Sequence, residues 1–295
     1  MEAIIRDAAA FSDAQLETQF ETLLDAAAQT ATLVQAFRPV IIARAGLGRN
    51  GAACATFPLP ELDRFAQGVS LFDAMTLPVD PDWLLRAAKA LLPALSGGLP
   101  DLAPDIDALL AALETDALDL EQALRHFLHS SSPASLPPGI RAEALEFVLR
   151  QLAELAARRV ARPLQNALPL ELWTKGWCPV CGSPPALSTI SGLEGVRHLR
   201  CGLCGFDWRF PRTQCPFCDD DDIRNRQMHS IDDRPSERAE TCAVCNRYLL
   251  ALDMRPLDRP VAYEIQTIAM AHLDLLMQDK GYIPGARGTQ VDNRD

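Results

Sequence analysis

The chain has 295 residues, of which 48% are hydrophobic, and a formal net charge of −11. That length supports one large domain or two moderate ones around an ordinary buried core, and the acidic balance argues against a surface that tracks a phosphate backbone. No run of eighteen apolar residues occurs, and the opening MEAIIRDAAAF carries Glu2 and Asp7 where an export signal needs a basic segment and then an apolar one. The expectation is a cytoplasmic chain with no membrane insertion.

The first half reads as helical, rich in alanine and leucine and poor in aromatics. Ser12-x-x-Gln15 forms a capping box, after which Leu16, Phe20, Leu23, Leu24, Ala27, Ala31, Val34 and Phe37 recur at helical spacing until Arg38-Pro39. Gly46-x-Gly48-x-x-Gly51 matches the letters of a dinucleotide fingerprint. The Phe57-Pro58-Leu59-Pro60 that follows is no amphipathic helix, so a loop is expected there, with Cys54 a small hydrophobe. Further helices are expected over 61–75, over 81–95 with Gly97-Gly98 as its stop, over 104–113, over 119–128 and, after a connector at 130–139, over 141–162. His126 and His129 sit in a last helical turn, where the helix dipole favours them without any ligand role.

Composition changes at residues 163–169. Beyond it, eight of the nine cysteines fall as four Cys-x-x-Cys pairs: Cys178/Cys181, Cys201/Cys204, Cys215/Cys218 and Cys242/Cys245. A two-residue gap points two sulfurs at one centre, so two pairs close a four-thiolate site. Nineteen residues separate Cys181 from Cys201 and twenty-three separate Cys218 from Cys242, while only ten join Cys204 to Cys215. This spacing groups the first two pairs as one site and the last two as another, as in zinc ribbons. A disulfide framework belongs to short secreted chains. Four thiolates select a soft metal, zinc or iron, and leave no open position for a substrate.

Gly182 and Gly205 follow the second cysteine of their pairs, where a left-handed residue turns backbone N–H groups toward sulfur; this Cys-x-x-Cys-Gly pattern resembles a rubredoxin knuckle. Asp219 and Asn246 hold the matching places in the second site, and both residue types tolerate that conformation. Short β-segments are expected at 186–190, 196–200, 206–210 and 226–231, with another at 248–252. His198 and His229 are strand residues surplus to the sites, and Asp219, Asp220, Asp221 and Asp222 form a solvated loop. Arg197, Arg200, Arg209 and Arg212, close to Trp208, form the one candidate basic patch. A last helix spans 260–279, stopped by Gly281, and the polar end GTQVDNRD is expected to be disordered.

The fold class is therefore α+β. A helical domain (1–168) precedes tandem four-cysteine modules (169–259, divided at about 172–212 and 213–255), and a C-terminal helix and tail follow (260–295). The stretches ELWTKGWCPVCGSPP, RHLRCGLCGFDWRFPRTQCPFC and AETCAVCNRYL resemble the formate dehydrogenase accessory protein family, FdhE. The resemblance implies two rubredoxin-like modules holding iron, with zinc the alternative, at Cys178, Cys181, Cys201, Cys204, Cys215, Cys218, Cys242 and Cys245. It also implies a cytoplasmic, non-catalytic factor that binds the catalytic subunit of respiratory formate dehydrogenase and is needed for its activity. The family's paired aspartates at the start of the final helix are replaced here by Val261-Ala262-Tyr263-Glu264. A rubredoxin-like electron carrier and, more remotely, a nucleic-acid-binding ribbon are the alternatives.

Overall fold

A computed structural model describes residues 5–50, 60–74, 76–130, 136–231 and 234–285. A short strand β1 (Ile5–Arg6) leads into α1 (Asp13–Ala26) and α2 (Ala31–Asn50). The helices α3 (Leu62–Ala66), α4 (Leu71–Ala74), α5 (Pro81–Gly98), α6 (Ala103–Glu114), α7 (Leu120–Ser130) and α8 (Ala142–Ala161) complete the helical half. The capping box forms as expected, with Ser12 accepting from the Gln15 backbone and the Gln15 side chain accepting from Ser12 N–H. The most buried helix is α8, which covers Leu145, Val148, Leu149, Leu152, Leu155 and Val160 together with a row of alanines. Each such leucine contributes roughly 1.5–3 kcal/mol by leaving water.

Several expected boundaries move. The first helix breaks at Ala27, which takes φ −150° and ψ 67°, and its successor α2 continues straight through Pro39. Gly46 and Gly48 lie inside α2, so the expected loop is helix up to Asn50. Gly97 and Gly98 continue α5 and do not stop it. The reason is close packing: a Cβ on Gly98 would stand 2.0 Å from the Ala36 carbonyl oxygen of α2. The helix expected over 61–75 is two short ones separated at Gly68, whose φ is +96°. Gly51, Cys54, the segment through Leu59, Met75, part of the 130–139 connector and the polar tail lie outside the described residues.

The second half carries the strands β2 (Pro185–Ser191), β3 (Val196–Cys201), β4 (Asp207–Arg209), β5 (Arg226–Ser230), β6 (Glu237–Cys242) and β7 (Arg247–Asp253). Next come β8 (Val261–Ala262), α9 (Tyr263–Ala269), α10 (Ala271–Asp279) and β9 (Ile283–Pro284). The expected final helix is therefore two, divided at Met270. No pattern in the sequence announced β6, because half of ERAETC is charged and it carries no large apolar residue.

Two antiparallel arms, β4-β3-β2 and β5-β6-β7, merge into one sheet in the order β4-β3-β2-β7-β6-β5, with β9 also on β7. The joint is the parallel pairing of β2 with β7, from Leu187 opposite Leu250 to Ile190 opposite Asp253. The arms share a plan, since β3 ends at Cys201 and β6 ends at Cys242. The fold is thus the expected α+β arrangement, with the tandem modules fused through their sheets.

The core ignores the composition change at 163–169. One continuous apolar cluster runs from Phe65, Leu91 and Leu152 of the helices to Cys178, Cys201, Phe206 and Trp208 of the first module. A second packs Phe11, Leu16, Phe20 and Ile41 against Ala262, Ile265 and Ile268 of the C-terminal segment. The chain ends also meet through β1, which pairs in parallel with β8.

Candidate metal centres

Each Cys-x-x-Cys pair sits on a tight turn beside strand β2, β3, β5 or β7. The structure brings the sulfurs of Cys178, Cys181, Cys201 and Cys204 within 4.8 Å of one another, and separately those of Cys215, Cys218, Cys242 and Cys245. This is the sequential grouping that the spacing predicts. Tetrahedral bonds of about 2.3 Å put neighbouring sulfurs roughly 3.8 Å apart. Cys215–Cys245 and Cys218–Cys242 are both 3.8 Å apart, and the first centre is slightly tighter at 3.3 to 3.5 Å. The donor set and its spacing therefore fit a soft, four-coordinate ion in each centre.

The turns carry the strain that the sequence predicts. Gly182 and Gly205 have φ of +70° and +68°, and Asp219 and Asn246 have +59° and +56°. With that turn in place, Val180 N–H points at Cys178 Sγ at 3.4 Å, and Leu203 N–H points at Cys201 Sγ at 3.3 Å. Such donors stabilise thiolate charge. Burial pushes the Cys178 and Cys204 thiols well up, whereas the neighbouring Cys245 thiol draws Cys215 down to about 4.

The two centres differ in their surroundings. All four cysteines of the first are buried at the junction with the helices, where Leu71 and Phe72 N–H donate to the Pro179 and Val180 carbonyls at 3.1 and 2.9 Å. Trp173 and Trp177 close that side, Trp177 Nε1 donating to the Gly68 carbonyl at 3.1 Å. In the second centre Cys215 and Cys242 are buried, while Cys218 and Cys245 reach solvent, with Val244 exposed in the turn between.

Half of the expected arginine patch is not a surface: Arg209 and Arg212 are exposed, but the other two are not. Arg197 and Arg200 are 1% and 3% exposed. Arg197 lies between the modules, donating to the Pro211 and Gln214 carbonyls of the connecting segment, to Ser188, and to Glu240 of β6. Arg200 donates to Asp207 at 2.6 Å and to Asp7, and its guanidinium lies 4.7 Å from the Tyr263 ring centroid. A buried cation needs such partners, so these arginines join structural layers.

His198 and His229 lie in β3 and β5 outside both centres, as expected, and His229 Nε2 approaches Thr241 Oγ1 at 3.3 Å. Among the acids at 219–222, Asp222 pairs with Arg224 and Asp220 accepts from Asn225, which makes a hydrogen-bonded loop. Sequence reasoning missed the clasp around Arg158. This arginine pairs with Asp7 at 3.0 Å and with Glu264, whose other oxygen accepts from Ala8 N–H at 2.8 Å. Glu264 thus holds the N-terminal segment against α8. Its partners lie 256 and 106 positions away in the chain, so no local signal pointed to the clasp.

Two ribbon-like four-cysteine centres sharing one sheet and seated on a helical layer define a tandem zinc-ribbon protein of the metal-binding class. The family model described as "FdhE, central domain" matches residues 177–212, which enclose the first centre. A protein FdhE from Escherichia coli O127:H6 is 31% identical over 227 residues, covering 74% of this chain and 68% of that protein. An FdhE homolog from Aquifex aeolicus is 35% identical over 116 residues, so this chain spans only 41% of that relative's length and the match covers 38% of the chain. The crystal structure of the FdhE protein from Pseudomonas aeruginosa has a similar fold, with a TM-score of 0.61 at 22% identity, covering 96% of this chain and 98% of that one. The chain belongs to the FdhE family.

Proposed function

We propose that this protein is a maturation factor that binds the catalytic subunit of respiratory formate dehydrogenase in the cytoplasm and turns over no substrate itself. The observation that carries this reading, beside the family, is the closure of both centres: each has four cysteine sulfurs at bonding separation around it. An ion held by four thiolates has no position left for a reacting molecule. The eight cysteines Cys178, Cys181, Cys201, Cys204, Cys215, Cys218, Cys242 and Cys245 would hold iron, with zinc as the alternative, and the ion would fix the knuckles that shape the surface presented to the client. Neutral backbone N–H donors aimed at sulfur suit either metal.

A rubredoxin-like electron carrier is the second reading, favoured by the solvent contact of Cys218 and Cys245 in the second centre. Pull-down of the catalytic subunit by this protein, together with formate-dependent respiration in a deletion strain, tests the first. Maturation predicts capture of the subunit and loss of formate dehydrogenase activity while the subunit is still made. Normal activity in the deletion strain would contradict it. An electron carrier predicts instead a reversible one-electron wave exchanging rapidly with a redox partner.

A further inference from the structure

The sheet has two edges, and they are finished differently. At one, β4 is three residues long and runs into Phe210-Pro211. Its outward backbone is covered at Asp207, whose N–H donates to the Gln165 side chain at 3.2 Å and whose carbonyl accepts from it at 2.8 Å. At the other edge, β5 runs five residues in unbroken register with β6. Ala243 N–H donates to the Asn225 carbonyl, which fixes the phase of the ladder. The backbone groups of Gln227 and His229 therefore turn toward β6, and those of Arg226, Met228 and Ser230 turn outward. Among the described residues nothing bonds these outward groups. Free edges are ordinarily blunted by a charge, a proline or a bulge. The middle of β5 has none of these: it reads Gln227-Met228-His229, with Met228 49% exposed. Arg226 stands at the end of the strand and turns to Glu240 at 3.4 Å.

We propose that β5 is a dimerisation edge, pairing antiparallel with β5 of a second copy of this chain about a two-fold axis at Met228. The outward groups lie on the first, third and fifth residues of a five-residue strand, a pattern symmetric about its middle. In the two-fold register Arg226 meets Ser230 of the second copy, Met228 meets its own copy, and Ser230 meets Arg226 of the second copy. Each of these pairs exchanges two backbone hydrogen bonds. Between them Gln227 faces His229 of the second copy, so no like charges stand opposite each other. A shift of two residues either way pairs only three residues per strand. A shift of one sets outward groups opposite groups already bonded to β6. Register and charge are thus self-complementary, and the exposed Met228 side chain packs on its own copy. Five residues of edge fall short of the roughly 1,200–2,000 Å² that stable complexes bury, so the dimer is weak, half-formed at about 100 μM.

The test is sedimentation velocity of the full-length, metal-loaded protein from about 5 μM to about 1 mM, in about 0.3 M salt to screen the repulsion between two chains of net charge −11. The sedimentation coefficient should rise with concentration from monomer to dimer. Met228→Lys and Met228→Glu each set like charges together at the axis and should weaken association about fivefold or more. An equimolar mixture of the two variants sets opposite charges there and should restore association to within about threefold of the parent. Circular dichroism and metal content equal to the parent's establish both variants as folded. A monomer across the whole range, a dimer indifferent to both variants, or a mixture that stays dissociated would each overturn the proposal. A monomer that captures the catalytic subunit of formate dehydrogenase, with capture lost in both variants, would assign the edge to a client strand and overturn it too.

Discussion

The two cysteine centres have the same ligands, the same knuckle backbone and the same hairpin plan, yet they do different structural work. The first is sealed under helices α3 and α4 and belongs to the largest apolar cluster of the molecule. The second lies in the outer arm of the sheet, with Cys218 exposed and Cys245 half-buried. Ligand chemistry sets what a site can hold, and surroundings set what depends on it. A defect in the first centre should therefore spread into the helical half, and one in the second should stay in its arm.

The largest expected effect breaks that contrast directly. Metal binding supplies roughly 10–16 kcal/mol to zinc-finger peptides, more than a typical domain's whole stability. Cys178→Ser should consequently lower the helical signal in far-ultraviolet circular dichroism as well as remove one ion, because Leu71 and Phe72 hang from the knuckle carbonyls. Cys218→Ser should remove one ion and leave the helices intact. Equal damage from both changes would erase the distinction between the centres.

Next in size is the joint between the arms. Arg197→Met leaves the buried Glu240 without its main partner, which costs about 3–5 kcal/mol in a buried pair. Arg226 also reaches Glu240, at 3.4 Å, and will soften the loss. Denaturant unfolding should show the drop, and metal retention in both centres should persist, since Arg197 touches no sulfur. A smaller effect separates the knuckles. Gly182→Ala forces a side chain into the left-handed region at roughly 1–2 kcal/mol, whereas Asp219→Gly relieves the same conformation and should be neutral or slightly stabilising. Thermal unfolding of the two variants reads the difference.

The smallest is a pH effect confined to the first module. Burial raises Asp207 to about 6 although Arg200 opposes it, against an ordinary value of 3.8. Between those values the folded state keeps a proton that the unfolded chain has released, so stability from this group falls as pH rises from 4 to 6. The side chain keeps 30% of its exposure, which limits the change to about 1 kcal/mol. Asp207→Asn should flatten the slope of stability over that window.

What the sequence made legible was what short-range chemistry dictates. Cys-x-x-Cys spacing, the residues after each second cysteine and the Ser12 cap all act within a few positions, and all took the expected geometry. Long-range relations were hidden. Nothing local tells that Gly98 exists to let α5 touch Ala36, or that Pro39 would be carried inside a helix. Arg197 and Arg200 looked like part of a surface patch because their acidic partners Glu240 and Asp7 stand far away in the chain. The fusion of the arms rests on a parallel pairing between strands sixty residues apart, which periodicity alone does not encode.

Stepwise chelation followed at once by native mass spectrometry and far-ultraviolet circular dichroism is the most direct test of unequal centres. The account predicts two ions per chain, with the first loss leaving the helical signal unchanged and the second loss lowering it. Cys218→Ser should begin at one ion and show only the second step. Simultaneous release of both ions, or a fall in helicity with the first ion lost, would contradict it.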